Sequence, residues 1–220
     1  MMKQGIIFDM DGTLWDSAEN VAKSWNMAVN QSGLLRREIT AKDIQGVMGK
    51  TMDAIADILF AELGWEDRKK LLEVCCEVEN NYLRQHGGTL YDGVEETFCK
   101  LRAQGYHLYI VSNCQKGYIE AFLDYYKLWG HVEDIACYGN NLRPKGENIR
   151  LLAERNDLDT AVYVGDIQGD YDASCAAGVG FVHAAYGFGT IDAAVPRIRQ
   201  IQELAGLDLA AASRRIGGTS

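Results

Sequence analysis

The period of the hydrophobic pattern changes along this chain, and the change predicts the fold. Gly5-Ile6-Ile7-Phe8 is a short apolar run closed by the acidic turn Asp9-Met10-Asp11-Gly12, the form of a buried strand covered on both faces. From Ser17 to about His86 nothing reads as a strand, and the segment predicts successive helices. Ser17-Ala18-Glu19-Asn20 can cap the first, with Val21, Trp25 and Ala28 or Val29 on one face. Thr51 can cap another, in which Ile55, Ile58, Leu59 and Leu63 recur at helical spacing. Gly87-Gly88 breaks this pattern, and Tyr91-Asp92-Gly93 restarts the chain.

Beyond that point strands and helices alternate. The pattern predicts a helix at 93–104, a strand at His107–Val111, a helix at 116–127 and a strand near Ile135–Tyr138. A helix at 147–156, a strand at Ala161–Val164, a helix at 168–177 and a strand at Gly180–His183 follow. Such alternation implies an α/β fold: a doubly wound parallel sheet with helices on both faces. The first strand is too short to stand alone and belongs in the same sheet. Residues 1–15 and 89–220 therefore form the expected core, with 16–88 as an inserted all-helical cap domain. Arg214 to Ser220 reads as a frayed tail.

Composition narrows the function classes. Hydrophobic residues at 47% and charged residues at 24% give an ordinary globular balance. The net charge of −9 leaves no basic footprint for a nucleic acid. It also makes local cations necessary if the ligand is an anion. Six cysteines show no CxxC pair and no histidine spacing suited to zinc, so they read as reduced core residues. The apolar run before Asp9 is too short for a signal peptide or membrane span, and a cytoplasmic location is expected.

The candidate chemistry stands at strand ends. Asp9-Met10-Asp11-Gly12-Thr13-Leu14 follows the first strand, Ser112-Asn113 follows the strand from His107, and Gly165-Asp166-Ile167-Gln168-Gly169-Asp170 follows the strand from Ala161. Between the last two lies Arg143-Pro144-Lys145-Gly146 at a helix start. Singly, these are an acidic turn, a helix cap, a surface lysine and a Gly-Asp turn. In an open α/β sheet, however, strand carboxyl ends share one crevice.

In this order and context, the set resembles the haloacid dehalogenase superfamily, whose phosphatases carry DxDGT, a strand-end Ser or Thr, a Lys and GDxxxD. The likeness runs from Ile6 to about Gly189. The position of the helical insertion resembles the subgroup with phosphoglycolate phosphatases and β-phosphoglucomutases. The resemblance implies a Rossmann-like core and a phosphatase acting on a small phosphorylated metabolite. Carboxylate attack by Asp9 would form an aspartyl-phosphate. Asp11, two residues on, would protonate the leaving alkoxide and then activate water. Asp9 and Asp166 offer two hard oxygen donors to Mg²⁺. The resemblance adds the Asp11 backbone carbonyl, with Asp170 holding a metal-bound water or orienting Lys145. Gly12, Thr13, Ser112, Asn113 and Lys145 would bind the phosphate.

The cap should select the substrate. In Gln45-Gly46-Val47-Met48-Gly49-Lys50-Thr51, similar phosphoglucomutases have a Lys before the first Gly, whereas this chain has Gln45. That departure weakens a phosphomutase reading and leaves Lys50 as the cap's candidate anion contact. Trp15 and Asp16 could line the cleft floor or pack a hinge, and Tyr186-Gly187-Phe188-Gly189 could border the cleft or form a plain loop. A dehalogenase would need neither Asp11 nor Asp166, and a signalling receiver domain would lack the insertion. Phosphoglycolate, a sugar phosphate, a nucleotide and pyrophosphate all suit the core.

Overall fold

The structure, a computed structural model, describes residues 2–215. β1 (Gln4–Phe8) leads to β2 (Trp15–Asp16) and then to four helices: α1 (Ala18–Ser32), α2 (Ala41–Gln45), α3 (Met52–Leu59) and α4 (Trp65–His86). β3 (Thr89–Leu90), α5 (Val94–Ala103), β4 (His107–Ser112), α6 (Tyr118–Tyr126) and β5 (Asp134–Cys137) follow. Next come α7 (Tyr138–Asn141), α8 (Lys145–Arg155), β6 (Thr160–Gly165), α9 (Gln168–Ala177) and β7 (Gly180–Ala184). The described chain ends with β8 (Arg197–Ile198), a 3₁₀ turn at Ile201–Gly206, α10 (Leu209–Ala212) and β9 (Arg214–Arg215).

The main sheet has the order β5-β4-β1-β6-β7-β8, with those neighbours parallel. The expected doubly wound sheet is therefore present. Its central strand shows why an apolar run sufficed as a signal. Ile6 and Phe8 face one core with Phe98, Leu101 and Phe122, while Ile7 faces the other with Tyr109, Tyr163, Ile149 and Leu152. Residues of both registers must be apolar when both faces are covered. The chain leaves β1 for β4 on one side and later takes up β6 on the other. The carboxyl ends of β1 and β6 thus flank a topological switch point, the place where such sheets bind ligands.

Several local expectations change. Ser17 makes no cap bond at α1; its hydroxyl is drawn to Asp11 and Tyr118 instead. Thr51 occupies the α3 N-cap without a side-chain bond, whereas Thr40 and Asp43 form a full capping box on α2. Ile55 and Leu59 are buried, but Ile58 is half exposed and Leu63 lies beyond the end of α3. β5 stops at Cys137, where α7 begins. Cys75, Cys114 and Cys137 are buried as expected; Cys99 and Cys175 are exposed, so the core reading fails for those two. Arg214–Arg215 is not frayed: it pairs antiparallel with Thr160–Ala161. The remainder of that predicted tail lies outside the described residues.

Two pairings absent from the sequence reading frame the helical segment. Trp15–Asp16 and Thr89–Leu90 form a two-stranded antiparallel ribbon where the chain leaves and re-enters the sheet region. Gly88 fits there because a Cβ would lie 2.9 Å from the Asp16 carbonyl oxygen and 2.9 Å from the Trp15 ring. Trp15 is fully buried against Tyr118, Phe122 and Tyr126, which settles it as packing at this ribbon. Among the described residues, no helix is long and apolar enough to cross a membrane.

Candidate active site

Asp9 emerges from β1 with its backbone N–H still bonded to the Val164 carbonyl of β6 at 2.9 Å, so the sheet fixes its position. Its carboxylate is buried, and Oδ1 accepts from Lys145 Nζ at 2.8 Å and Tyr163 Oη at 3.3 Å. Lys145, at the first position of α8, also donates to Asp170 Oδ1 at 2.7 Å. The other Asp170 oxygen accepts the backbone N–H groups of Asp166 and Ile167 at 3.1 and 3.2 Å. Both oxygens of Asp170 are thus engaged, one by the lysine and one by the loop that carries Asp166.

Asp9, Asp166 and Asp170 are all buried and can each offer an oxygen within 4.8 Å of the others. Among the described residues, Lys145 is the one cation bonded to this group, through Asp9 and Asp170. Burial, with the Asp170 carboxylate next, pushes the Asp9 carboxyl up to about 7 against the pull of Lys145. Burial, then Asp9 and Asp170, push Asp166 up to about 8. Burial disfavours the Lys145 ammonium, but Asp170 and Asp9 outweigh it and raise its pKa. Three buried carboxylates around one ammonium form a hard-oxygen, cation-seeking set that fits a divalent ion such as Mg²⁺.

Asp11 has different surroundings. Its side chain accepts from Ser17 Oγ at 2.6 Å and from Tyr118 Oη at 2.8 and 2.9 Å, with no ammonium bonded to it among the described residues. Burial holds its carboxyl up at about 6, against the hydrogen bonds from Ser17 and Tyr118. The two carboxylates of the first motif therefore lean on different partners: Asp9 on the core lysine, Asp11 on hydroxyls.

Gly12 takes φ +83°, and a Cβ there would fall 2.2 Å from Asp166 Oδ2, so the close approach of the two loops requires glycine. Ser112 is buried at the end of β4 and lines a cavity together with Asp11 and Asn113. Thr13 is wholly buried with its hydroxyl unpartnered, and it does not line that cavity. Asn113 Nδ2 donates to the Gly49 carbonyl at 2.9 Å, tying the helical segment across the cleft. Lys50 is exposed at the cavity rim, while Gln45 donates to Asp16 Oδ2 at 3.2 Å.

One contributor was left open by the sequence, between a cleft border and a plain loop, and another escaped sequence reasoning. The loop after β7 belongs to the site: the Phe188 backbone N–H donates to Asp166 Oδ2 at 2.7 Å, and a Cβ on Gly187 would lie 2.3 Å from the Gly12 carbonyl oxygen. Tyr186 Oη adds a bond to the Thr13 carbonyl at 2.7 Å. On the helical side, Glu79 of α4 is 3% exposed and lines the same cavity. An acid in an otherwise apolar stripe with Leu71, Leu72, Cys75 and Leu83 was the signal that could have found it.

Known proteins resemble this chain in sequence and in fold. A phosphoglycolate phosphatase of Nitrosospira multiformis is 29% identical over 197 residues, with 84% of each chain covered. A Haemophilus somnus protein described as a predicted phosphoglycolate phosphatase superimposes with TM-score 0.78 at 21% identity, over 94% of this chain and 98% of its own. CbbY of Rhodobacter sphaeroides, solved in complex with a xylulose bisphosphate, gives TM-score 0.76 at 18% identity, over 94% and 100%. Residues 6–184 match the haloacid dehalogenase-like hydrolase family, and the chain belongs to it.

Proposed function

We propose that the protein is a Mg²⁺-dependent phosphatase that hydrolyses a small phosphomonoester through an aspartyl-phosphate on Asp9. The observation that carries this reading is the contrast between the motif's two carboxylates. Asp9 is held by Lys145 beside Asp166 and Asp170. Asp11 stands apart with a carboxyl held at about 6.

Asp9 provides the attacking oxygen, and the phosphorus–oxygen bond to the leaving group breaks as the aspartyl bond forms. Asp11, protonated, gives its proton to the departing alkoxide; as carboxylate it then takes a proton from the water that cleaves the intermediate. A carboxyl held near 6 can serve in both forms around neutral pH. Lys145 keeps Asp9 aimed and neutralises charge, and Asp170 positions Lys145. Ser112, the Asn113 side of the cleft and backbone N–H groups near Gly12 would receive the phosphoryl oxygens. Asp9 and Asp166, with the Asp11 backbone carbonyl, would hold Mg²⁺, which supplies charge neutralisation between anionic substrate and carboxylates. The cluster supports that role because burial and the neighbouring carboxylates both raise the Asp9 and Asp166 carboxyls.

In this reading residues 16–88 are the cap domain, which excludes water during transfer, and 1–15 with 89–220 the catalytic core, in a cytoplasmic enzyme. The names of the sequence relatives support the phosphatase class. Phosphate release from a panel of phosphomonoesters, with Mg²⁺ and with a chelator, tests it. Release that requires the metal is expected; its absence for every ester contradicts the reading.

A further inference from the structure

The phosphatase reading leaves the leaving group unnamed, and the cavity above Asp11 and Ser112 describes it. The cavity measures about 50 Å³, room for roughly four water-sized atoms. Its helical wall is mostly apolar, with Val21, Ile44, Val47, Met52 and Ile55; the Trp25, Glu79 and Lys50 side chains are the polar exceptions. Glu79 Oε2 accepts from Trp25 Nε1 at 2.5 Å, and the Gln115 amide also hydrogen-bonds the carboxylate.

Among the described residues, no Lys, Arg or His forms an ion pair with Glu79. Its stripe on α4 is otherwise hydrophobic, so an aliphatic side chain would pack here without the cost of a buried, uncompensated charge. Burial pushes its carboxyl up to about 7, which marks the same cost. Both neighbours donate to it, favouring the ionised form, and a carboxylate has acceptor capacity beyond those two bonds. The lining cation, Lys50, is exposed at the rim.

We propose that Glu79 is the specificity-determining residue of this cavity and selects a small leaving alcohol whose far end bears a hydrogen-bond donor, a hydroxyl or an ammonium, and no carboxylate. This rests on the phosphatase reading above. A leaving group ending in a carboxylate, such as that of phosphoglycolate, would bring a second anion against Glu79 within reach of Asp11, a like-charge arrangement that interfaces avoid. A donor supplies what the buried carboxylate lacks.

The test is kcat/KM for Mg²⁺-dependent phosphate release from four esters of similar size: 2-phosphoglycolate, propyl phosphate, glycol monophosphate and phosphoethanolamine. They are compared in the wild type, Glu79→Gln and Glu79→Leu, with folding checked by circular dichroism. In the wild type, one or both donor-bearing esters should exceed propyl phosphate and phosphoglycolate by at least about tenfold, the size of one well-made polar contact. Glu79→Leu should erase that ratio. Glu79→Gln, isosteric and uncharged, separates the sources: an ammonium preference falls about tenfold, and a hydroxyl preference survives. Preference for phosphoglycolate in the wild type, or a ratio unmoved in Glu79→Leu, overturns the inference and leaves the phosphatase intact. Failure to release phosphate from these esters and from p-nitrophenyl phosphate alike removes the phosphatase reading, and this inference with it.

Discussion

On the strand side of the cleft, charged groups are packed together and each is braced. Asp170 is held by a lysine and two backbone N–H groups, Asp166 by the Phe188 N–H, and Asp9 by Lys145 and the Tyr163 hydroxyl. On the helical side, one buried acid stands in a mostly apolar wall, unpaired with any cation among the described residues, while the lining cation Lys50 stays exposed at the rim. The first wall suits chemistry common to any phosphate ester, since its polarity converges on a single point at the sheet's switch point. The second suits choice among esters, since a buried acid with no cation paired to it discriminates by what the ligand brings. A cleft with one fixed wall and one selective wall can change substrate without disturbing its mechanism.

The strand wall breaks first under substitution. Asp9→Asn should lower kcat by about 10⁴-fold or more, as loss of a nucleophile does, with an unchanged circular dichroism spectrum. Asp11→Asn should cost about 10²–10⁴-fold, the range for general acid–base groups. Because the second step then lacks its base, phosphoenzyme should accumulate in a rapid-quench experiment.

Metal and pH sharpen the same wall at intermediate size. The folded protein holds the Asp166 proton up to about 8, against 3.8 for the free side chain. Between those values the folded state binds more protons than the unfolded state, so metal-free stability should fall as pH rises from about 4 to about 8. Asp9, raised to about 7, contributes in the same direction. Mg²⁺ should reverse the trend. At a hundredfold excess over its Kd it adds about 2.7 kcal/mol, or roughly 5–10 °C in Tm for a chain of this size, with a larger shift at pH 8 than at pH 6. Differential scanning calorimetry with Mg²⁺ and with chelator reads both slopes.

The smallest expected effect joins the two walls. Asn113→Ala removes the bond to the Gly49 carbonyl, worth about 1 kcal/mol. That should lower kcat/KM about fivefold through KM, measured by steady-state kinetics.

The same division governs what the sequence revealed. Asp9, Asp11, Ser112, Lys145 and Asp166 were legible because each follows an apolar strand or opens a helix, and a parallel sheet gathers such positions at one edge. The loop at Gly187 and Phe188 was left open between a cleft border and a plain loop, because its contribution is a backbone N–H and a missing Cβ, which no side-chain motif records. Ser17 fits a cap by residue type; only the position of Tyr118, a hundred and one residues away, turns its hydroxyl to Asp11. The ribbon of Trp15–Asp16 with Thr89–Leu90 is two residues long, too short to leave a period. Glu79 hides among the surface acids of α4 until the packing of α1 against α4 identifies its face as buried.

The most direct test is the covalent intermediate itself. Asp11→Asn enzyme mixed with Mg²⁺ and a phosphomonoester substrate, quenched, reduced with borohydride and mapped by peptide mass spectrometry should carry homoserine at position 9, the reduction product of an aspartyl-phosphate. Homoserine at another aspartate, or an unmodified Asp9 in enzyme that still releases phosphate, would contradict the assignment of Asp9 as nucleophile.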